Sequence, residues 1–283
     1  RTITSNSSIE EILRMPISDV FPQIFDKEIV FMPTSTSMWH AMLFLVPLRN
    51  MYANGIIVVK DNKPVGIIGT HHIFNTIIKS GLEKLQYVTV EQIMAKITQP
   101  LTDKSMLEDV LNTFSENEFG FCPVTKNNIH ISAISTRDFL PIISKMNIAI
   151  PFSNIASRLI YASYNITVKN AISIMLEKNI RKIAIVEDHY MTVIDDRSVL
   201  EFLCFSKKPK QEKLETEIQH LAKTSVLELD EKTSISDIAT LLYEKDMPCG
   251  ISDSVIITPW DLVTKVLGQY VVKTNMDKMT MPD

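Results

Sequence analysis

Residues 133–140 read Ala-Ile-Ser-Thr-Arg-Asp-Phe-Leu, and residues 255–263 read Val-Ile-Ile-Thr-Pro-Trp-Asp-Leu-Val. In both, an apolar strand-like run stops at a hydroxyl residue, an Asp stands three positions later, and apolar residues resume at helical spacing. The junction admits two readings. Ser135 with Asp138, and Thr258 with Asp261, fit a capping box that satisfies a helix start. The same carboxylates, in a first helical turn, also suit a pair of sugar hydroxyls, and the helix start itself suits a phosphate.

Working outward, the unit around each junction recurs four times. The helix-start residues Ser37, Ser105, Thr167 and Ser234 are separated by 68, 62 and 67 positions. Amphipathic stretches follow them, such as Met106, Leu107, Val110, Leu111 and Phe114, or Ile235, Ile238, Ala239, Leu241 and Leu242. Four pairs of short β-branched runs come next: 56–59 with 65–68, 119–124 with 130–134, 182–186 with 190–194, and 249–251 with 255–257. Turn residues such as Asp61-Asn62 and Lys126-Asn127-Asn128 separate the partners. A second apolar helix face closes each unit, as in Ile73, Phe74, Ile77 and Ile78. The order is β-α-β-β-α, an α/β repeat. The basic stretch Ser206–Lys213 reads as a solvated loop, and 270–283 as a tail without clear period.

Composition narrows the function. With 283 residues and 45% hydrophobic content the chain fills about two domains, and no apolar run reaches the length of a membrane span. A net charge of −4 gives no bulk footprint for nucleic acid. The seven glycines form neither GxGxxG nor GxxxxGK[ST], and Cys122, Cys204 and Cys249 form no CxxC pair. No cationic segment leads into an apolar signal core, so a reducing cytoplasm is the expected location. His71-His72 lacks a third metal ligand in sequence reach, and no nucleophile triad or carboxylate pair emerges. No enzyme activity, catalytic cofactor or metal is expected.

The strand-Ser/Thr-x-x-Asp-helix junction within a β-α-β-β-α unit resembles the cystathionine beta-synthase (CBS) domain. The segments carrying the likeness are Phe121-Cys122-Pro123-Val124 with 133–140, and 255–263; Ile17-Ser18-Asp19-Val20 and Val90-Glu91-Gln92-Ile93-Met94 look like the family's lead-ins. The likeness covers about residues 13–269. It implies four CBS repeats in two pseudo-two-fold modules, 13–146 and 147–269, with the tail 270–283 outside. It also implies adenosine ligands in the clefts, a regulated protein partner, and pairing of the modules within the chain or as a homodimer. Four repeats in one chain look like the gamma subunit of AMP-activated protein kinase and stand-alone archaeal proteins.

On that likeness the ligand-binding candidates are Cys122, Ser135, Thr136, Arg137, Asp138, Thr258, Pro259, Trp260 and Asp261, with an adenine nucleotide as regulatory ligand. His72, Arg181, Lys182 and Arg197 are candidate phosphate contacts. Repeats 1 and 3 depart from the pattern: Gly69 and His72 replace the hydroxyl and the acid, and Asp195 and Ser198 exchange them. An adaptor whose ligand sites are vestigial is the competing function.

Overall fold

A computed structural model describes residues 8–47 and 54–271. The tail beyond 271, whose role the sequence leaves open, lies outside the described residues. The repeat helices are, in chain order, α1 (Met38–Leu45), α2 (Thr70–Ser80), α3 (Leu107–Asn117), α4 (Leu140–Ile143), α5 (Val168–Lys178), α6 (Asp196–Phe205), α7 (Ile235–Glu244) and α8 (Pro259–Asp261). Two belong to each repeat. A 3₁₀ turn over Thr136–Phe139 leads into α4, and α8 runs into a π-helical stretch over Leu262–Leu267.

Local chemistry accounts for these elements. Ser37, Thr167 and Ser234 each accept the N–H three residues on, from His40, Asn170 and Asp237, as N-caps do. Repeat 2 departs by one residue. Its cap is Met106, whose N–H donates to Asp109 Oδ2 at 2.9 Å, while Ser105 Oγ accepts the Thr102 N–H instead. Lacking a hydroxyl at the cap, the start of α3 is held by the returning carboxylate and by the Leu107 N–H, which donates to the Met15 carbonyl at 3.1 Å. The two central hairpin residues Asp61 and Asn62 have φ of 52° and 61°, the left-handed pair that a tight β-turn needs and that Asp and Asn tolerate.

Each repeat has one small sheet. A lead strand pairs parallel with the first hairpin strand, as Phe31–Pro33 with Ile56–Lys60 and Tyr161–Ser163 with Lys182–Glu187. The hairpins are antiparallel, with Ile56 opposite Ile68, Phe121 opposite Ser135, Lys182 opposite Asp195 and Gly250 opposite Ile257. The register ends every hairpin at its strand-to-helix junction.

Packing groups the described residues differently from the contiguous halves 13–146 and 147–269. One compact unit comprises 8–29, 98–158 and 226–271, which holds repeats 2 and 4; the other comprises 30–47, 54–97 and 159–225, which holds repeats 1 and 3. The physical reason is where the apolar helix faces close. In the first unit Leu107, Val110, Phe114, Phe139 and Ile143 share a core with Ile235, Ile238, Leu242, Val263 and Leu267. In the second, Met38, Met42, Phe74 and Ile77 share one with Val168, Ile172, Met175, Val199 and Leu203. Burying such side chains contributes roughly 1.5–3 kcal/mol each, so these faces decide the grouping.

Lead-in segments complete the sheets and junctions. In the first unit, the segment before repeat 1 docks on repeat 2: Ile17 N–H reaches the Ser105 carbonyl, and Ser132 Oγ donates to the Ile24 carbonyl at 2.5 Å. The segment before repeat 3 docks on repeat 4, where Ser157–Arg158 pairs with Val255 and Ile256. In the second unit, Ala95–Lys96 extends the sheet of repeat 1, and Thr224 N–H reaches the Val193 carbonyl of repeat 3.

Candidate functional site

The first unit holds both Ser/Thr-x-x-Asp junctions. At Ser135, the Asp138 side chain turns back on the strand end. Its Oδ2 accepts the Ser135 N–H at 2.8 Å and the Ser135 hydroxyl at 3.3 Å. It also accepts Lys27 Nζ at 2.6 Å, and Lys27 donates to the Ala133 carbonyl as well. Asp138 Oδ1 accepts no hydrogen bond among the described residues, and the side chain is 27% exposed. This carboxylate therefore anchors the helix start through Oδ2. Cys122, buried on the adjoining strand, feels the Asp138 charge, but burial is the larger cause that pushes its thiol pKa up, leaving it a protonated apolar wall.

At Thr258 the same device is closed. Asp261 Oδ2 accepts the Thr258 N–H at 3.0 Å and its hydroxyl at 3.1 Å, and Oδ1 accepts Ser157 Oγ at 2.7 Å and Lys265 Nζ at 3.1 Å. With the side chain only 4% exposed and both oxygens bonded, Asp261 has no acceptor directed to solvent. Pro259 stands in the first turn of α8, where its missing N–H costs nothing. Thr136 and Trp260 meet at Gly120: a Cβ there would lie 2.7 Å from Thr136 Cγ2 and 3.3 Å from Trp260 Cε3. Trp260 is thus a half-buried packing element where repeats 2 and 4 join.

Arg137 does not extend into a cleft. It is buried, and it donates through Nη1 to the Met247 carbonyl at 3.0 Å and through Nη2 to the carbonyls of Leu242 and Tyr243, with Asp246 3.7 Å away. Those carbonyls lie at and just beyond the C-terminus of α7, where intrahelical donors run out and a cation is favoured.

The second unit repeats the geometry with different residues. His72 takes the place of the Asp: its Nδ1 accepts the Gly69 N–H at 2.9 Å, so the proton of the neutral ring sits on Nε2. Burial lowers the His72 pKa to about 4, and its ring centroid lies 3.9 Å from that of His71. In repeat 3, Asp195 Oδ1 accepts the Ser198 N–H at 2.8 Å and the Ser198 hydroxyl at 2.9 Å, so the exchange of acid and serine preserves the cap with its direction reversed. Arg197 is buried and donates to the Leu45 carbonyl at the end of α1. Arg181 and Lys182 are half-buried beside Asp196, whose carboxyl pKa they and Arg197 hold down against burial. Among the described residues no group of three side chains is arranged to hold a metal ion, and no helix is long and apolar enough to cross a membrane.

No family model matches the sequence, and no curated protein matches it. Solved structures do. A protein from Methanocaldococcus jannaschii, described as a proposed archaeal homolog of gamma-AMPK, superposes with a TM-score of 0.70 at 19% identity, over 85% of this chain and 96% of that one. A CBS-domain protein from Agrobacterium tumefaciens aligns at 17% identity and TM-score 0.38 over 46% of this chain and 93% of its own. A CBS domain pair solved with 5′-methylthioadenosine and S-adenosyl-L-methionine aligns at 17% identity and TM-score 0.35 over 42% of this chain and 93% of its own. The chain has the four-repeat CBS fold.

Within these CBS repeats, sequence reasoning missed the partners of the second-helix side chains, three of which come from the lead-ins. Lys27 at Asp138, Ser157 and Lys265 at Asp261, and Thr224 at Ser198, 3.5 Å between hydroxyls, all face an N3 side chain of a second helix. Only Lys265 was in sequence reach, four residues beyond Asp261 on the same helical face. The others stand 26 to 111 residues away.

Proposed function

We propose that the chain is a regulatory module without chemistry of its own that binds an adenosine nucleotide or related adenosyl ligand at the Asp138 junction and signals to a protein partner. The observation that carries this reading is the asymmetry of the Asp138 carboxylate. Oδ2 is fixed by Ser135 and Lys27, and Oδ1, in a partly exposed side chain, has acceptor capacity left for a ribose diol. Ser135, Thr136 and Cys122 form the wall beside it. Thr258, Pro259, Trp260 and Asp261 are assigned to repeat packing and helix capping in this reading, because both oxygens of Asp261 are bonded. Arg137 and Arg197 serve helix ends.

Calorimetric titration of AMP, ADP, ATP, 5′-methylthioadenosine and S-adenosylmethionine into the parent, Asp138→Asn and Asp261→Asn tests it. A hydrogen bond to a charged group contributes roughly 1.5–3 kcal/mol, so Asp138→Asn weakens binding on the order of tenfold to a hundredfold, while Asp261→Asn leaves affinity within about threefold. Equal affinity in parent and Asp138→Asn refutes the site. The second reading, an adaptor with vestigial clefts, is favoured by the closure of Asp261, and it is the outcome if none of the five ligands binds the parent.

A further inference from the structure

The lead-in before repeat 1 delivers a cation to the Asp138 junction from an anchored backbone. Ile24 is buried, its carbonyl accepts Ser132 Oγ at 2.5 Å, and Phe25 stands edge-on to His130 with ring centroids 6.4 Å apart. Residues 24–26 form a 3₁₀ turn, and the Lys27 N–H closes it on the Ile24 carbonyl at 3.3 Å. From there Lys27 Nζ donates to Asp138 Oδ2 at 2.6 Å and to the Ala133 carbonyl at 3.3 Å. In repeats 4 and 3 the lead-in residue facing the N3 side chain is a hydroxyl instead: Ser157 at Asp261 and Thr224 at Ser198.

An ammonium carries three donors. Lys265, the cation at Asp261, directs its three to Asp261 Oδ1 at 3.1 Å, Ser157 Oγ at 3.2 Å and the Ile155 carbonyl at 2.8 Å. Lys27 has two acceptors among the described residues and is partly exposed, which leaves one N–H beside the Asp138 carboxylate. We propose that Lys27 sets the ligand class of the Asp138 site: an adenosine ligand with a 5′-phosphate, to which this third N–H donates, in preference to one whose 5′ substituent is uncharged or a sulfonium. The proposal rests on the reading of Asp138 as the ribose acceptor. A lone carboxylate repels phosphate and attracts a sulfonium, and the ammonium 2.6 Å from it cancels that bias. The remaining donor then adds a charge-assisted bond to a phosphate oxygen, which a sulfonium cannot accept and a thioether accepts only weakly.

AMP and 5′-methylthioadenosine share the adenosine and differ at the 5′ position. Both are titrated by calorimetry into the parent, Lys27→Met and Lys27→Arg at about pH 8, where the phosphate carries about two charges. The parent is expected to bind AMP at least about tenfold more tightly than 5′-methylthioadenosine. Lys27→Met keeps an unbranched stem and loses the cation, so AMP weakens on the order of tenfold to a hundredfold while 5′-methylthioadenosine stays within about threefold. Lys27→Arg keeps the cation and the preference. If Lys27 merely holds Asp138 in place, Lys27→Met weakens both ligands alike, and that result overturns the proposal, as does an unchanged preference. The parent supplies a measurement that needs no variant: raising salt from about 50 to about 500 mM weakens AMP and leaves 5′-methylthioadenosine unmoved, and an equal response overturns the proposal. A parent that binds 5′-methylthioadenosine as tightly as AMP refutes the selectivity alone, whereas a parent that binds neither refutes the reading of Asp138 with it.

Discussion

Arg137 Nη1 donates to the Met247 carbonyl oxygen at 3.0 Å, 110 residues further along the chain, and the same guanidinium reaches Leu242 and Tyr243. Arg197 treats Leu45 in the same way in the other unit. A residue at the second position of one repeat's second helix thus closes the end of another repeat's first helix, twice. A planar fork serves several carbonyls where a lysine ammonium on a flexible stem does not. Arg137→Lys is expected to lose about 1.5–3 kcal/mol of stability, read as a lower urea midpoint at unchanged slope. A lysine variant as stable as the parent contradicts the capping role.

Asp261 and Asp138 differ in what a neutral amide costs the fold. Asp261→Asn breaks a buried charge-assisted bond to Ser157 and the pair with Lys265, and about 1.5–3 kcal/mol is expected to go with them. Asp138 and Lys27 are each more than a quarter exposed, so Asp138→Asn is expected to cost only about 1 kcal/mol or less. Denaturant titration of the two variants side by side decides the ranking.

Gly120 is fixed by close approach rather than by backbone angle. A methyl group there meets Thr136 Cγ2 at 2.7 Å, on a β-branched side chain with little freedom to turn away. Gly120→Ala is expected to destabilise by roughly 1–3 kcal/mol through overpacking, and Gly120→Ala with Thr136→Ser is expected to recover most of it. Equal melting temperatures for the single and double variants count against the contact.

His72 makes the second unit sensitive to acid. Its folded pKa, about 4, lies below the unfolded value near 6.5, so the unfolded chain binds more protons between these values. The contribution is complete above pH 6.5 and is lost as pH falls toward 4. By pH 4.5 the loss is on the order of 1–2 kcal/mol once partial solvent screening is allowed for. His72→Gln keeps an acceptor for the Gly69 N–H and does not titrate, so its stability is expected to fall less steeply over that range. Parallel pH profiles for the two proteins argue that another group carries the acid sensitivity.

The sequence alone determined what depends on neighbours a few residues apart. Apolar spacing placed the helices after Ser37, Thr167 and Ser234, β-branched runs with Asp and Asn between them placed the hairpins, and the three-residue step from Ser135 to Asp138 and from Thr258 to Asp261 placed the capping boxes. Even the departures in repeats 1 and 3 keep that step, through His72 and Ser198. The start of α3 slipped by one because Met106 has no hydroxyl to announce it, and its carboxylate partner is read only once the backbone is folded. Tertiary structure decided which repeats share a core and what each carboxylate faces. Lys27 is an unremarked surface lysine until a lead-in carries it 111 residues to Asp138, and Asp261 is indistinguishable from Asp138 until Ser157 arrives. Hydrogen bonding in a buried site is set by whichever donors the chain brings within about 3 Å, and local periodicity holds no record of a donor a hundred residues away.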